Sequence, residues 1–300
     1  MRRAERQRRG SRGATGAFAF AGASPVAGAF PFEYPDHLRE AVDGVPSGPG
    51  VYVFHGERAD LPLYIGKSVN IRARLLAHYR NPDEAAMLRQ ARRISHIRTA
   101  GEIGALLLEA RMIKTEQPLF NRKLRRTRRL CSLRVRGGEP EVVSSTDFDF
   151  AAEPDLYGLF SSRRAALDAL RVLADEHRLC HGALGLEKLS KGKPCFRAMI
   201  RRCAGVCRGD ESPREHRQRL VGALEALRVA CWPYPGAVGL VERDGELRQV
   251  HVVRNWCYLG STESEAQARS LAAVIPGFDA DGYRILCAPV LTRTVEIVPL

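Results

Sequence analysis

Two short apolar segments, 51–55 and 63–65, constrain the fold most because only a brief polar connection separates them. Both are rich in β-branched and aromatic residues, which favour strands, and a Pro-Ser-Gly-Pro-Gly turn cluster precedes the first at 46–50. Strands this close along the chain are typical of an antiparallel hairpin. The sequence therefore predicts a β-hairpin that ends at Gly66-Lys67-Ser68.

Helical patterns follow this hairpin. The spacing of apolar residues predicts helices over 69–79, 84–93 and 101–116, and a third strand over 94–98. Residues 38–124 are thus expected to form a compact α+β unit. In this unit a small three-stranded antiparallel sheet is flanked by helices.

The helix predicted over 101–116 carries one carboxylate that its apolar pattern does not explain. Thr99 and Glu102 match a capping box, so Glu102 is assigned to the helix start. Glu109 lies about 90° from the centre of the apolar stripe on a helical wheel, at its edge. A carboxylate there is either an exposed boundary charge or a ligand that faces a cleft.

The positive charge of the chain is concentrated in two blocks. The protein has 47 Lys and Arg against 34 Asp and Glu, a net charge of +13. Residues 1–12 hold six Arg and one Glu, and residues 61–130 hold sixteen Lys or Arg and five Asp or Glu. Such a field attracts a polyanion such as nucleic acid, with a basic solvated surface or acidic lipid as alternatives.

The N-terminal block is interpreted as a disordered basic arm over 1–32. A secretory signal peptide is the alternative, but the apolar part is short and rich in Gly and Ala. No apolar run approaches the roughly 18 residues that a membrane-spanning helix needs. A cytoplasmic protein is therefore expected.

Four of the eight cysteines lie within one stretch of 28 residues. A chain of this length does not need disulfides, which indicates a reducing compartment. Basic neighbours favour thiolates, and both zinc and an iron–sulfur cluster accept four cysteines, whereas buried free thiols are the simpler alternative. The candidate ligands are Cys180, Cys195, Cys203 and Cys207, with His177 and His181 as alternatives.

The rest of the chain divides into a linker and cysteine-cluster region over 125–212 and a small C-terminal α/β module of unknown role over 213–300. Residues 125–150 are expected to be rich in strands. The other predicted elements are helices over 163–177, 213–231 and 263–274, and strands over 239–243 and 248–253.

Several chemically distinctive residues follow one another in a fixed order around the hairpin. They are Gly50-Val51-Tyr52, Tyr64-Ile65-Gly66, Lys67, Arg74, His78, Glu109 and Asn121. This ordered set resembles the GIY-YIG nuclease family, and within it the N-terminal nuclease domain of UvrC, the incising subunit of bacterial excinuclease ABC. The segment 61–72, Leu-Pro-Leu-Tyr-Ile-Gly-Lys-Ser-Val-Asn-Ile-Arg, is most similar to the shorter UvrC homologues. The region 157–207 also resembles UvrC, where Pro-Cys and Arg-Cys-x-x-x-Cys recur in the same order.

The resemblance implies a divalent-metal-dependent endodeoxyribonuclease. Glu109 is expected to hold Mg²⁺ or Mn²⁺, Tyr64 to take the proton of the attacking water, and Tyr52 to position it. Tyrosine has a reference pKa near 10, so neighbouring positive charge would have to lower it. The remaining expected contributors are Arg74, Lys67 and His78, which stabilise charge, and Asn121 and Gly66, which support the site.

The resemblance also implies partners and a second metal centre. Damaged double-stranded DNA held by UvrB, after loading by UvrA, would be cut once, on the 3′ side of the lesion. The alternatives are a nuclease that selects DNA structures without UvrA and UvrB, or a non-catalytic DNA-binding adaptor. For the four cysteines the resemblance favours a 4Fe–4S cluster over zinc, in a structural or DNA-associated role.

Overall fold

The computed structural model describes residues 36–58, 61–121 and 129–300. The predicted basic arm at 1–32, and residues 122–124 at the end of the predicted nuclease unit, lie outside this part. Three antiparallel sheets follow one another along the described chain, each with its own helices.

The first sheet is built on the predicted hairpin. Strands β1 (Gly50–His55) and β2 (Pro62–Ser68) pair antiparallel, and β3 (Arg93–Arg98) pairs with the other side of β1. The strand order is therefore β2-β1-β3. The predicted three-stranded antiparallel sheet is confirmed.

Helices of the described chain flank this sheet close to the predicted positions. They are α1 (Asp36–Asp43), α2 (Ile71–His78), α3 (Ala85–Gln90) and α4 (Glu102–Glu116). Helix α2 begins where the Asn70 side chain accepts the backbone N–H of Ala73 at 2.9 Å. Helix α3 is shorter than predicted because a 3₁₀ turn, Pro82–Glu84, precedes it and β3 already begins at Arg93.

Helix α4 lies between two hydrophobic cores. On one side Ile113 packs with Val51 and Ile65 of the first sheet. On the other side Leu107 packs with Trp256 of the C-terminal module. The helix that carries Glu109 is therefore held by two parts of the chain that are far apart in sequence.

The middle region contains a second sheet of order β5-β4-β6. Two of its strands lie within residues 125–150, which were predicted to be rich in strands. Its elements are β4 (Cys131–Arg136), β5 (Glu139–Ser144), β6 (Leu156–Phe160), α5 (Arg163–Glu176), α6 (Phe196–Met199) and α7 (Pro213–Leu224). Helix α5 agrees with its prediction, but a helix that reaches residue 231 is wrong. A 3₁₀ turn, Glu225–Leu227, follows α7, and the chain then becomes extended. The N–H of Val229 donates to the Leu156 carbonyl at 2.8 Å, so this segment runs beside β6.

The C-terminal module has a four-stranded sheet of order β10-β7-β8-β9. Its elements are β7 (Val238–Asp244), β8 (Leu247–Arg254), β9 (Cys257–Thr262), α8 (Glu265–Ala272), α9 (Ala280–Leu291) and β10 (Glu296–Pro299). Strands β7 and β8 and helix α8 were predicted, whereas β9, α9 and β10 were not. Helix α9 contains Gly282 and Pro289, which weaken a helical pattern. Within the described residues, no helix combines the length and apolarity that crossing a membrane requires.

Candidate active site and cysteine centre

The two hairpin tyrosines lie on the face of the first sheet that meets α2. The strand register pairs Tyr52 with Gly66 and Phe54 with Tyr64, so all four share one face. The ring centroids of Tyr52 and Tyr64 are 6.2 Å apart. A Cβ on Gly66 would lie 2.4 Å from the Tyr52 hydroxyl and 2.8 Å from a ring carbon of Tyr64. Only glycine leaves room for both rings at this position.

Tyr52 is fully buried and belongs to a chain of hydrogen bonds. Its hydroxyl lies 2.6 Å from Nε2 of His78, and Nδ1 of His78 contacts the carboxylate of Glu84. Burial lowers the pKa of His78, although Glu84 opposes this effect, so the ring is neutral at pH 7. A carboxylate at Nδ1 favours the tautomer with its proton there, and Nε2 then accepts the phenol proton of Tyr52.

Tyr64 is the more accessible of the two tyrosines. Burial and the negative charge of Glu109 raise its pKa, whereas Arg74 lowers it. The pKa of Tyr52 is also raised, mainly by burial, and the neighbouring Tyr64 raises it further. The Nε of exposed Arg74 donates to the Tyr52 hydroxyl at 3.4 Å. Among the protein groups alone, burial therefore outweighs the positive charge of Arg74, one of the groups predicted to lower the pKa of Tyr64.

Glu109 reaches from α4 to the end of β2. Its Oε1 accepts the backbone N–H of Lys67 at 3.0 Å. Burial raises the pKa of Glu109, while the hydrogen bond and the charges of Lys67 and Arg74 lower it. Within the described residues Oε2 makes no hydrogen bond, which leaves a hard oxygen ligand beside Tyr64 and Arg74.

The N-terminus of α4 is capped from the C-terminal module. The carboxylate of Glu242 on β7 accepts the backbone N–H groups of Ile103 at 3.0 Å and of Gly104 at 2.7 Å. Buried His251 holds this carboxylate through Nε2 at 2.9 Å. A Cβ would lie 2.2 Å from Glu242 at Gly101 and 2.4 Å from His251 at Gly104, so both glycines make room for the cap.

The capping box predicted for α4 is wrong. The Thr99 hydroxyl donates to the carbonyl of Gly101 at 2.8 Å instead of capping the helix. The carboxylate of Glu102 accepts a hydrogen bond from Nζ of Lys67 at 2.6 Å. Because Glu242 already occupies the helix end, Glu102 is turned toward the nuclease site.

Asn121 completes the outer edge of β2. Its side-chain carbonyl accepts the N–H of Ile65 at 2.9 Å, and its side-chain amide donates to the Ile65 carbonyl at 2.7 Å. These two bonds replace the pairing that another strand would supply. Asn121 therefore fixes the backbone between Tyr64 and Gly66.

The four clustered cysteines point at one centre, and none of these four forms a disulfide. Their Sγ atoms lie within 4.8 Å of one another, and Cys195 Sγ is 3.7 Å from the Sγ atoms of Cys180 and Cys207. The N–H groups of Ala198 and Gly205 donate to the sulfurs of Cys195 and Cys203, each at 3.3 Å. Amide donors of this kind stabilise bound thiolates, so these residues fit a metal centre.

The alternative histidine ligands are not brought to this centre. His177 is exposed at the end of α5, and His181 lies 3.2 Å from Asp175. Among the described residues, these four cysteines are the group of three or more Cys, His, Asp or Glu side chains whose ligand atoms lie close enough to share one ion. A set of four sulfurs selects zinc or an iron–sulfur cluster over hard cations.

Family models cover most of the described chain. A UvrC-like GIY-YIG domain matches residues 48–122, a UvrC/Cho excinuclease middle domain matches 123–226, and an excinuclease Cho C-terminal domain matches 237–300. With the hairpin, Glu109 and the surrounding fold, these matches define a UvrC-like GIY-YIG endonuclease.

Relatives identify the branch of this class. Excinuclease Cho of Escherichia coli is 56% identical over 269 residues, 90% of this chain and 91% of the relative, and the Salmonella typhimurium protein is also 56% identical. The chain belongs to the excinuclease Cho family. The UvrABC system protein C of Caldicellulosiruptor saccharolyticus is 29% identical over 191 residues, which are 61% of this chain and 32% of that protein.

A solved structure gives a local match. It is the GIY-YIG N-terminal endonuclease domain of UvrC from Thermotoga maritima, bound to its catalytic divalent cation, magnesium. Sequence identity is 31%, the match covers 29% of this chain and 98% of that domain, and the TM-score is 0.27.

The structure gathers the predicted nuclease residues around strands β1 and β2 of the first sheet and adds three residues that the sequence analysis missed. These three are Glu84, Glu242 and His251. Glu84 carries only a weak signal, a polar residue in the turn after α2. The other two are polar residues on predicted strands, and nothing in their spacing indicates contact with α4.

Proposed function

We propose that this endonuclease hydrolyses DNA phosphodiester bonds with Mg²⁺ or Mn²⁺ bound to Glu109. The observation that carries the proposal is the convergence of Tyr64, Arg74 and Glu109, which come from β2, α2 and α4. A bound divalent cation would supply charge neutralisation at the phosphate. The concentration of Lys and Arg in 61–130 supports a nucleic-acid substrate.

In this proposal Tyr64 accepts the proton of the attacking water. Its raised pKa keeps the phenol protonated at rest, so it must pass on its own proton as it takes the new one. Tyr64 lies beside Tyr52, whose hydroxyl is hydrogen-bonded to His78, and His78 contacts Glu84, so these groups provide that route. Tyr52 thus positions Tyr64 and relays its proton.

Arg74 and Lys67 are proposed to stabilise negative charge on the phosphate. Arg74 is exposed and adjoins both tyrosines, and its planar guanidinium suits two phosphate oxygens. The ammonium of Lys67 is paired with Glu102, which holds it at the same edge of the sheet. His78 acts on the phosphate only indirectly, through Tyr52.

The proposed substrate is damaged double-stranded DNA held by UvrB after loading by UvrA, and the proposed cut lies on the 3′ side of the lesion. The similarity to a UvrABC system protein supports this reading. The described residues contain one nuclease site of this kind, which fits a single incision.

A reconstituted incision assay tests the function. A duplex with one defined lesion, labelled at one end of the damaged strand, is incubated with the protein and Mg²⁺, with and without UvrA and UvrB. One cut on the 3′ side that requires both proteins is expected. Glu109→Gln should lose the cut, and Glu116→Gln, on the same helix, should keep it.

A specific alternative is a nuclease that selects branched or flapped DNA by itself. Equal cutting without UvrA and UvrB, at a structural junction instead of a lesion, would establish this alternative. Cutting by Glu109→Gln at the wild-type rate would show that Glu109 is not the metal ligand.

We further propose that the cysteine centre holds a 4Fe–4S cluster in a cytoplasmic protein. The spacing of the four cysteines is unlike that of common zinc fingers, although thiolates about 3.8 Å apart also suit one tetrahedral zinc ion. Protein purified without oxygen should be brown and contain about four irons and four sulfides per chain. Colourless protein with one zinc would overturn this assignment.

A further inference from the structure

Three large apolar side chains are exposed on one turn of helix beside the cysteine centre. Phe196, Met199 and Ile200 are 51%, 62% and 45% exposed. Phe196 and Met199 lie on α6 and Ile200 directly follows it, and their spacing of i, i+3 and i+4 places them on one side of this turn. Three neighbouring apolar side chains at such exposure mark an interaction surface. We call these three residues the α6 tip.

The α6 tip is held rigidly from several sides. Cys195 of the sulfur centre directly precedes it, and its Sγ accepts the N–H of Ala198. The guanidinium of Arg197 donates to both carboxylate oxygens of Asp175, at 2.6 and 2.7 Å. The N–H of Phe196 donates to Glu187 at 2.9 Å. The tip therefore loses little conformational freedom when it meets a partner.

Exposed cations flank the tip in the sequence. Residues 185–208 contain seven Lys or Arg and one acidic residue. Five of these cations are exposed and form no ion pair with any described residue. They are Lys188, Lys191, Lys193, Arg201 and Arg202.

We propose that the α6 tip and these five cations form a second DNA-binding surface, which inserts apolar side chains against unstacked bases while the cations bind flanking phosphates. The inference rests on the proposed DNA substrate. Apolar wedges framed by Lys and Arg are how proteins bind distorted or opened DNA. A protein partner fits less well because lysine is depleted in protein interfaces. The surface would favour DNA that is opened or unstacked near the lesion.

Equilibrium binding of the full chain, without added divalent metal, tests this surface. Two fluorescent duplexes are compared, one fully paired and one with a short unpaired bubble that contains 2-aminopurine. The wild type should prefer the bubble and raise the 2-aminopurine fluorescence. Phe196→Ser with Met199→Ser should lose about tenfold in bubble affinity and the fluorescence change, with little effect on paired DNA.

Matched variants separate the two parts of the surface. Lys191→Gln with Lys193→Gln should weaken binding to both duplexes equally and lower the slope of log K against log salt by about 2. The control, Val274→Ser with Ile275→Ser, removes exposed apolar residues of the C-terminal module and should bind like the wild type. Metal content and circular dichroism confirm that each variant retains its fold.

The outcomes are distinct. If the tip variant binds both duplexes like the wild type but loses incision with UvrA and UvrB, the tip contacts a protein and the inference is wrong. If all variants bind and cut normally, the surface has no role in DNA binding. If the wild type neither binds nor cuts DNA, the proposed function is wrong, and the proposed DNA-binding surface is wrong with it.

Discussion

The nuclease site and the cysteine centre are assembled in opposite ways. The four cysteines come from one segment, 180–207, and meet through sulfur atoms alone. The proposed nuclease site draws its residues from two strands, two helices and a turn, and helix α4 of this site is capped from β7. One centre depends on a local loop, whereas the other depends on the packing of distant parts of the chain.

This difference follows from the chemistry. A soft metal needs four equivalent thiolates, which one irregular segment with amide donors can supply. Phosphodiester hydrolysis needs an acid–base group, a metal ligand and a cation in different environments. Tyr64, Glu109 and Arg74 lie in such environments because each comes from a different element.

The largest effect is expected at Glu109. Glu109→Gln removes the proposed metal ligand and should lower the incision rate by about 10³-fold or more, with DNA affinity and the metal content of the cysteine centre unchanged. Single-turnover incision and metal analysis measure this. A loss of cysteine-bound metal in Glu109→Gln would show that the two centres are not independent.

The same change should stabilise the metal-free protein. Because burial raises the pKa of Glu109, the folded protein binds more protons than the unfolded chain, and stability falls as pH rises through that window. Above the folded-state pKa the full penalty applies, and glutamine removes it while its side-chain carbonyl still accepts the Lys67 N–H. Thermal unfolding without added divalent metal should show a higher Tm. A lower Tm would mean that this charge is stabilising.

The tyrosines should show the next largest effect. Tyr64→Phe removes the proposed base and should lower the rate by roughly 10² to 10⁴, with DNA affinity unchanged. Tyr52→Phe should cost less because it interrupts only the relay to His78. A reversed order would make Tyr52 the base. Normal cutting by both variants would show that Tyr52 and Tyr64 only pack in the core of the domain.

A change at the cysteine centre should affect stability more than incision. Cys203→Ser should lose bound metal and unfold at a lower temperature, because metal binding contributes to folding. The incision rate should fall by less than about tenfold, since none of the nuclease residues lies in 180–207. A loss of activity as large as that of Glu109→Gln would show that the centres are coupled.

Much of both centres could be predicted from sequence because the patterns that indicate them are local. The hairpin, the bounds of α4 and the cysteine cluster depend on periodicity or spacing within a few tens of residues. Glu109 stood out as a carboxylate at the edge of an apolar stripe. Resemblance to GIY-YIG nucleases then supplied its expected role.

The parts that could not be predicted depend on long-range packing. Glu242 caps a helix that begins about 140 residues earlier, and the local capping pattern at Thr99 and Glu102 was a plausible but wrong substitute. Glu84 contacts His78 only because the chain turns back after α2. Helix α9 was missed because Gly282 disfavours a helix in the sequence pattern. In the structure this glycine lets the helix approach the backbone of Trp256 closely.

The smallest effect is expected at the cap of α4. Glu242→Gln removes a charged cap from two backbone N–H groups and should lower the free energy of unfolding by about 1 to 2 kcal/mol. Burial raises the pKa of Glu242, but hydrogen bonds from His251, Gly104 and Ile103 outweigh it and lower the pKa overall. The stabilisation is therefore complete above the unfolded-state pKa and is lost as pH falls through the lower folded-state pKa.

Chemical denaturation of the wild type and Glu242→Gln between neutral and acid pH measures this contribution. The two proteins should differ at pH 7 and converge as the wild-type carboxylate becomes protonated. Glu246→Gln, an exposed change in the turn after β7, is the matched control and should match the wild type throughout. A constant difference at every pH would assign the effect to side-chain packing instead of charge. Because α4 carries Glu109, a cap that is weakened but still formed should leave the incision rate within about threefold of wild type.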